Sequence, residues 1–393
     1  MVRRLLSGPG ALVLLLCWAG AHAEELMAPT GAETLALVTS DQFDVLDQRF
    51  STVQQAYEEG RITDEELVVP FRAFYATDAS LESHYEAWIS HSPKSYVAHL
   101  ARGIYYKFVG LESRGHEFFA KTSPEQIQGM EAAFEKGRAE FAVSLDLSPR
   151  PQLTYLHSMD LAAADGTAEE KRSLLDHSIA IDPQVFMTRL KYMSYLLPRW
   201  GGSVEEMKDF LRDCQKAGLS REHLKTLESL IAEEQGVAAE QEGNPKRAAR
   251  AYKKAAKLDA KRGCRPCGPI NEAAEALMRA KSYKAAIPLY SQVLASDPKF
   301  AIALVGRGYC EWRLVQWPAA IKDLTAAADL GNAWAQYLVG AFYLTGDHFA
   351  PDPDKGLALL QKSSDQGYQD AKNLLKQLHD GPPDATKPRD LQL

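Results

Sequence analysis

The chain has 393 residues, 46% hydrophobic and 25% charged, which is enough apolar material for a sizeable core and excludes wholesale disorder. Its formal charge of −7 excludes a general nucleic-acid binder, because phosphates call for a positive field. Five cysteines in so long a chain exclude a disulfide scaffold.

The first 23 residues have the pattern of a secretory signal. Arg3 and Arg4 precede "ALVLLLCWAG", an apolar run too short to span a bilayer, and "AHA" ending at Ala23 supplies small residues for cleavage. Leu16 stands before Cys17 where a lipoprotein signal wants a small residue. Cleavage after Ala23 is therefore predicted, with a periplasmic or secreted product. No later segment is apolar enough to span a membrane, so no stable membrane insertion is expected after cleavage. Residues 24–34 read as a polar linker.

Helical patterning follows. Phe43, Leu46, Phe50, Val53 and Tyr57 recur three or four apart, as one buried helical stripe requires. Asp41, Asp44 and Asp47 recur every three residues on the same stretch. Their placement near a helix start is explained by the helix dipole and does not require a cation. Thr63 with Glu66 reads as a capping box, since each side chain satisfies the other's free backbone donor. Asp78 opens another helix, with Leu81, Tyr85, Trp88 and Ile89 as its apolar face.

Internal spacing is faint before residue 220 and clear after it. Gly137, Phe141, Ser144 and Pro149 share spacing with Glu170, Leu174, Ser178 and Pro183, and the prolines are 34 apart. "AHLARGIYY" (98–106) echoes "ALVGRGYCE" (303–311). In the second half, the triplets Ala248–Tyr252–Ala255, Ala286–Tyr290–Val293 and Ala320–Leu324–Ala327 each follow a small residue, Gly236, Ala274 or Gly308, by twelve positions. This resembles the tetratricopeptide repeat, a helical hairpin of about 34 residues. Small residues there let two antiparallel helices approach, and a bulky one fills the gap. Ala335, Gly340, Tyr343, Gly346, Asp352, Lys355, Gly367 and Ala371 resemble the related Sel-one-like repeat, with Gly356 and Ser363–Ser364 in place of alanines, as in a terminal cap. The resemblance implies an all-α fold, a solenoid of helix-turn-helix repeats. The predicted domains are 35–220 and 221–379, followed by a disordered tail over 380–393.

The stretch "YLLPRWGGSVEEM" (195–207) interrupts this pattern. Pro198 stops a helix, Gly201 and Gly202 permit a sharp reversal, and Ser203 with Glu206 reads as a capping box for the next helix. Trp200 is expected to plug the corner, and Arg199 beside it has no role in a simple joint. With the upstream "ARGIYY", this "LLPRW-G" corner resembles a bacterial secreted domain of unknown function spanning about residues 35–220. That resemblance implies a helical fold and secretion and carries no activity.

Candidate chemistry is sparse. Cys264 and Cys267 form a C-x-x-C, which is a redox pair where a helix N-terminus stabilises a thiolate. The predicted helix starts near Asn271, and no thioredoxin-like strand pattern surrounds the pair, so a local disulfide in an inter-repeat insertion is favoured. One C-x-x-C without a matching pair does not make a zinc site. No H-E-x-x-H, G-x-S-x-G or phosphate-binding glycine loop occurs, and His157 and His177 read as packing or solvated residues. No cofactor or metal is predicted. In tetratricopeptide-like hairpins the first helix lines the concave face. That facing nominates Glu272, Glu275, Arg279, Tyr309, Trp312, Arg313, Trp334 and Tyr337 as a groove for a protein or peptide, although aromatic stripes also serve as joints between hairpins. The predicted function is an exported interaction scaffold or adaptor without enzymatic activity, immunity to a secreted toxin being a narrower form. The competing class is an enzyme: a thiol–disulfide protein using Cys264 and Cys267, or a hydrolase with an unrecognised site.

Overall fold

Helix follows helix in the computed structural model, and no strand occurs among the described residues, which are 30–115, 122–258, 268–346 and 350–379. The predicted signal, Cys264, Cys267 and the predicted tail lie outside them. The chain divides into two units, Met1–Leu224 and Lys225–Leu393.

The first unit opens with α1 (Gly31–Thr39), which starts on a complete Thr30–Glu33 capping box. In α2 (Phe43–Glu58) the expected stripe is buried from Phe43 to Tyr57. The Thr63–Glu66 box forms as expected and opens α3 (Asp64–Phe71), which runs into a 3-10 turn, Arg72–Tyr75. Phe71 and Phe74 close on Phe50 with ring centroids 5.0 and 4.8 Å away. Leu81, Tyr85 and Trp88 are buried on α4 (Leu81–His91).

The three aspartates before and within α2 reach across to α4 and its end. Asp41 meets His84 Nδ1 at 2.7 Å, and Asp44 meets His91 Nε2 at 2.9 Å. Asp47 accepts from Trp88 Nε1 at 3.2 Å and from the Ser95 hydroxyl. They form a polar seam, which the helix-dipole reading did not anticipate, because dipole arguments look along one helix and never across to the next.

Hairpins follow: α5 (Tyr96–Arg114) with α6 (Pro124–Leu147), α7 (Gln152–Asp165) with α8 (Ala168–Ile181), then α9 (Met187–Tyr195), the corner, and α10 (Val204–Lys216). Along α5 a side chain at Gly103 would meet the Phe141 ring at 2.4 Å, and one at Gly110 would meet Phe134 at 2.6 Å. These glycines let α5 and α6 touch. The 34-residue period is visible as a repeated polar rung. Ser144 and Thr154 hydroxyls bond at 2.9 Å, and Ser178 and Thr188, each 34 positions later, do the same at 2.9 Å. The sequence alignment is one residue out at Leu174. Leu175, 34 positions after Phe141, is the buried residue, because the helix phase is set by the Ser178 rung and not by counting from Glu170. Asp64, buried at the start of α3, accepts the backbone N–H groups of Phe186 and Met187 at 2.8 and 2.6 Å and so caps α9 from another hairpin.

The second unit holds most of α11 (Arg221–Gln241), then α12 (Pro245–Leu258), α13 (Pro269–Arg279), α14 (Tyr283–Ser296), α15 (Ala301–Arg313), α16 (Trp317–Asp329), α17 (Ala333–Thr345), α18 (Pro353–Asp365) and α19 (Gln369–His379). All nine residues of the three triplets are at most 1% exposed. Their small partners sit where the repeat logic puts them: a side chain at Gly236 would strike Tyr252 at 2.5 Å, and one at Gly308 would meet Leu324 at 2.9 Å. The echo between 98–106 and 303–311 is structural as well. Arg102 pairs with Glu140 at 2.5 Å, one residue before Phe141; Arg307 pairs with Asp323 at 2.6 Å, one residue before Leu324. In the last hairpin a side chain at Gly356 would meet the Gly340 carbonyl at 2.9 Å, so glycine stands there for close backbone approach. The Ser363 hydroxyl donates to the Ala333 carbonyl at 2.6 Å, which lets a serine occupy a fully buried alanine position. The chain is thus an all-α helical-repeat protein.

Candidate functional site

On the second unit, the nominated groove residues divide into three groups. On α13, Glu275 takes a hydrogen bond from Asn271 Nδ2 at 2.7 Å and pairs with Arg279 at 3.4 Å, while Arg279 also reaches Glu240. Glu272 lies half-buried one residue after Asn271. On α15 and α17, Tyr309 is the centre of an aromatic cluster, with Trp334 at 5.2 Å and Trp312 at 5.4 Å. Arg313 is exposed and fixed over this cluster. Its Nη1 donates to the Tyr309 hydroxyl at 3.1 Å, and its guanidinium lies 5.4 Å above the Tyr283 ring. Trp312 leans inward on Phe342 at 5.5 Å. Tyr337 belongs elsewhere, with Tyr368 of the segment before α19 at 5.4 Å.

The aromatics are therefore joint and surface at once: half-buried against the core, with one flank open. Tyr283, 6.0 Å from Tyr309, was missed because it opens a second helix, and the facing rule searches only first helices. On the same helix, Glu311 is 8% exposed. Burial, with the Asp323 carboxylate adding to it, pushes its carboxyl up to about 7. Burial also raises the Cys310 thiol to about 12, and the Cys214 thiol of the first unit to about 11. Both are free thiols and stay protonated near neutral pH.

A second constellation lies in the first unit and was not legible beforehand. The first helices of three successive hairpins, α5, α7 and α9, point ionisable residues at one another. Lys107 Nζ donates to His157 Nδ1 at 2.8 Å and to Asp160 at 2.8 Å. The other Asp160 oxygen accepts from Lys191 Nζ at 2.7 Å and from the Tyr195 hydroxyl at 2.9 Å. The Lys107 ammonium also lies 4.2 Å from the Phe108 ring, which stacks on Tyr75 at 4.1 Å.

Burial drives the Lys107 ammonium down to about 8, with Asp160 opposing and Lys191 assisting. Burial alone would raise the Asp160 carboxyl, but the two ammonium groups outweigh it and hold the carboxyl well below its usual range. Burial and the neighbouring Lys107 keep His157 neutral. Since Lys107 donates to Nδ1, the imidazole proton resides on Nε2, a buried atom with no hydrogen-bond partner. His157 is therefore a buried network residue, beyond the simple packing role its sequence suggested. The available signal was positional: Lys191 follows His157 by 34 residues, so two repeats place ionisable groups at one core-facing position.

The corner differs from expectation in one respect. Its stop, reversal and start are as read: Pro198–Trp200 forms a 3-10 turn, Gly201 takes φ 91°, and Ser203 accepts from Glu206 N–H at 3.2 Å. The Glu206 carboxylate bonds the Ser203 hydroxyl at 2.8 Å, so only half of the capping box is present. Trp200, however, is 50% exposed and does not plug the corner. Leu197 already fills the inside, and the turn is so tight that a side chain at Gly202 would meet the Leu196 carbonyl at 2.3 Å, leaving no room for an indole. Arg199 is likewise exposed.

Among the described residues no cluster of histidine, cysteine or carboxylate side chains is placed to hold a metal ion, and no helix is long and apolar enough to cross a membrane.

The family described as "Domain of unknown function (DUF4034)" matches residues 32–169 and 161–232. No curated protein matches the chain. Among solved structures, yeast Tom70 is similar at 14% identity and TM-score 0.44, over 80% of this chain and 60% of that one. A protective antigen of uropathogenic Escherichia coli with an SLR fold, c5321, is similar at 14% identity and TM-score 0.38, over 90% and 80%. A MamA RS-1 double mutant is similar at 20% identity and TM-score 0.35, over 46% and 96%.

Proposed function

Because the chain belongs to the DUF4034 family, whose description carries no activity, we propose from its own geometry that it is an exported scaffold, binding a protein or peptide through the first-helix face of its second unit. The observation that carries this reading is the Tyr309 cluster. Three aromatic rings and a guanidinium held by a hydrogen bond and cation–π contact make a rigid, half-exposed patch. Such residues dominate interface energetics, because they bury large area for little lost conformational freedom. The fixed Arg313 favours a partner that places a carboxylate or carbonyl beside an apolar side chain.

The basic, apolar and small-residue pattern of residues 1–23 supports export, to the periplasm or outside the cell. An envelope adaptor and an immunity protein against a secreted toxin are the roles this face would serve. The absence of chemistry is part of the proposal.

Affinity capture from the periplasm identifies a partner, and its affinity is then measured against two variants. Arg313→Glu should weaken binding by about tenfold or more, since a charged hydrogen-bonding group is reversed at the centre of the patch. Trp312→Ala with Arg313→Glu should abolish it. Unchanged affinity in both, with native circular dichroism, rejects this face as the site.

A further inference from the structure

The buried constellation of the first unit is not used by the proposed groove, and its charges do not balance. Two ammonium groups, Lys107 and Lys191, share the single carboxylate of Asp160, and their side chains are 3% and 11% exposed. His157 is neutral and Tyr195 stays protonated, because burial and the Asp160 carboxylate both oppose its ionisation. One positive charge is therefore left in a water-poor environment, which is costly without a counter-ion. The Nε2–H of His157 is in addition a buried donor without an acceptor.

The excess has an open edge. Lys107 is enclosed by His157, Asp160 and the Phe108 ring. Lys191 spends one of its three N–H donors on Asp160, and its side chain is the more exposed of the two. Tyr195 is half-buried beside it, and Lys171 of α8 holds a further ammonium 5.7 Å from the Tyr195 ring. Two ammonium groups thus hold one carboxylate, and Lys171 stands outside them beside the Tyr195 ring, at the edge where α8 meets α9.

We propose that this edge is a binding site for a single carboxylate, gripped by Lys191 and Lys171 beside the Tyr195 hydroxyl. The charge count selects the class. Within the buried set, Lys107 and Lys191 against Asp160, the excess is one unit, which a monoanion neutralises and a dianion exceeds; the half-exposed Lys171 is compensated by solvent and stands outside that count. Asp160 already occupies the Tyr195 hydroxyl and one Lys191 donor, so the ligand takes the remaining Lys191 donors and the Lys171 ammonium. A free small acid and the C-terminal carboxylate of a peptide offer the same chemistry.

The test uses the full chain, titrated by calorimetry and followed by thermal denaturation. The probes are sodium acetate, inorganic phosphate, and acetyl-trialanine as free acid and as amide, each against sodium chloride at equal ionic strength. Acetate or the free-acid peptide should bind saturably and raise the melting temperature, with phosphate weaker and the amide silent. A free acid that binds at least tenfold tighter than acetate identifies a peptide terminus as the source; equal affinities identify a small acid. Lys191→Met should weaken binding about tenfold or more, the size of a lost charged hydrogen bond, and Lys171→Gln severalfold. Lys171 lies outside the buried network, so its variant still locates the site if Lys191→Met fails to fold. The proposal is overturned if neither carboxylate binds above chloride, if phosphate or the amide binds as tightly as the carboxylates, or if Lys171→Gln leaves the affinity unchanged.

Discussion

Removing Asp160 and removing Lys107 should have very different consequences, although each deletes one end of the same 2.8 Å ion pair. Asp160→Asn leaves two buried ammonium groups facing each other across a neutral amide, whose NH2 now confronts a donor on one side. Breaking a buried pair in this sense costs about 3–5 kcal/mol. For a unit near 200 residues that corresponds to roughly 6–20 °C in melting temperature. Lys107→Met deletes the surplus charge instead. Lys191 and Asp160 remain paired one to one at 2.7 Å, and the methionine lies against Phe108, where the ammonium stood 4.2 Å from the ring. The loss is then the bond to His157 and the one to an Asp160 oxygen that no other lysine reaches, about 1 kcal/mol each, offset by the ammonium no longer being buried. Chemical denaturation at pH 7 should therefore place Lys107→Met at least about 2 kcal/mol above Asp160→Asn in stability. A second signature is in the pH dependence. The Lys107 ammonium is depressed to about 8 in the fold, so between pH 8 and about 10.5 the unfolded chain holds the extra proton and folding gains stability as pH rises. Lys107→Met should lack that gain. Equal destabilisation by the two substitutions, or an unchanged alkaline profile in Lys107→Met, would refute the two-to-one charge account.

Asp64→Asn should be near neutral at pH 7 and Asp64→Ala should cost about 1–2 kcal/mol, since asparagine still accepts the Phe186 and Met187 N–H groups and alanine leaves them bare. Burial raises the Asp64 carboxyl to about 6, so its stability contribution is present below about pH 4 and is lost as pH rises through 6; with the two proteins matched at pH 7, wild type should be the more stable below pH 4, and the difference from Asp64→Asn, measured by urea unfolding, should shrink as pH rises through that window. Gly236→Ala should destabilise the second unit by about 1–3 kcal/mol, because a methyl there meets the Tyr252 ring at 2.5 Å, and a melting temperature within 1 °C of wild type would contradict the close-approach role. Trp200→Ala should change stability by less than about 1 kcal/mol, as befits a half-exposed ring on a corner already filled by Leu197, and a larger loss in denaturant would restore the plug.

The parts of the fold legible in sequence were those that repeat a small-to-large match. Gly236 with Tyr252 and Gly308 with Leu324 stand sixteen residues apart because two antiparallel helices of fixed length bring those positions together, and that distance is a property of the hairpin alone. The same pairing in the first half, Gly103 with Phe141, was hidden because it sits further from the turn, on longer stretches of α5 and α6, so no matching spacing exposed it. Side chains that pair across hairpins were harder still. Asp64 caps α9 over 122 positions, and Lys107 meets His157 over fifty. No local pattern encodes such distances, whereas helix caps such as Thr30–Glu33 and Thr63–Glu66 are three residues long and were readable or ready to be read.

The buried constellation shows why the site was less legible than the fold. A lysine or histidine at one helical position reads as solvated, since nothing in its own helix says otherwise. Its meaning comes from three helices presenting Lys107, His157, Asp160, Lys191 and Tyr195 to one another. Repeat architecture makes this arrangement possible, because equivalent positions of successive first helices necessarily adjoin. A repeat of apolar residues there would be more stable, since replacing a buried ion cluster by packed apolar groups is often neutral or favourable. Two rungs of this same unit, Ser144–Thr154 and Ser178–Thr188, close their hydroxyls on one another in neutral pairs. The neighbouring rung instead assembles two cations on one anion and leaves His157 Nε2 unsatisfied. That contrast within one repeating frame ties the imbalance to this face of α5, α7 and α9, and not to the hairpin itself, which builds satisfied polar rungs elsewhere with the same spacing.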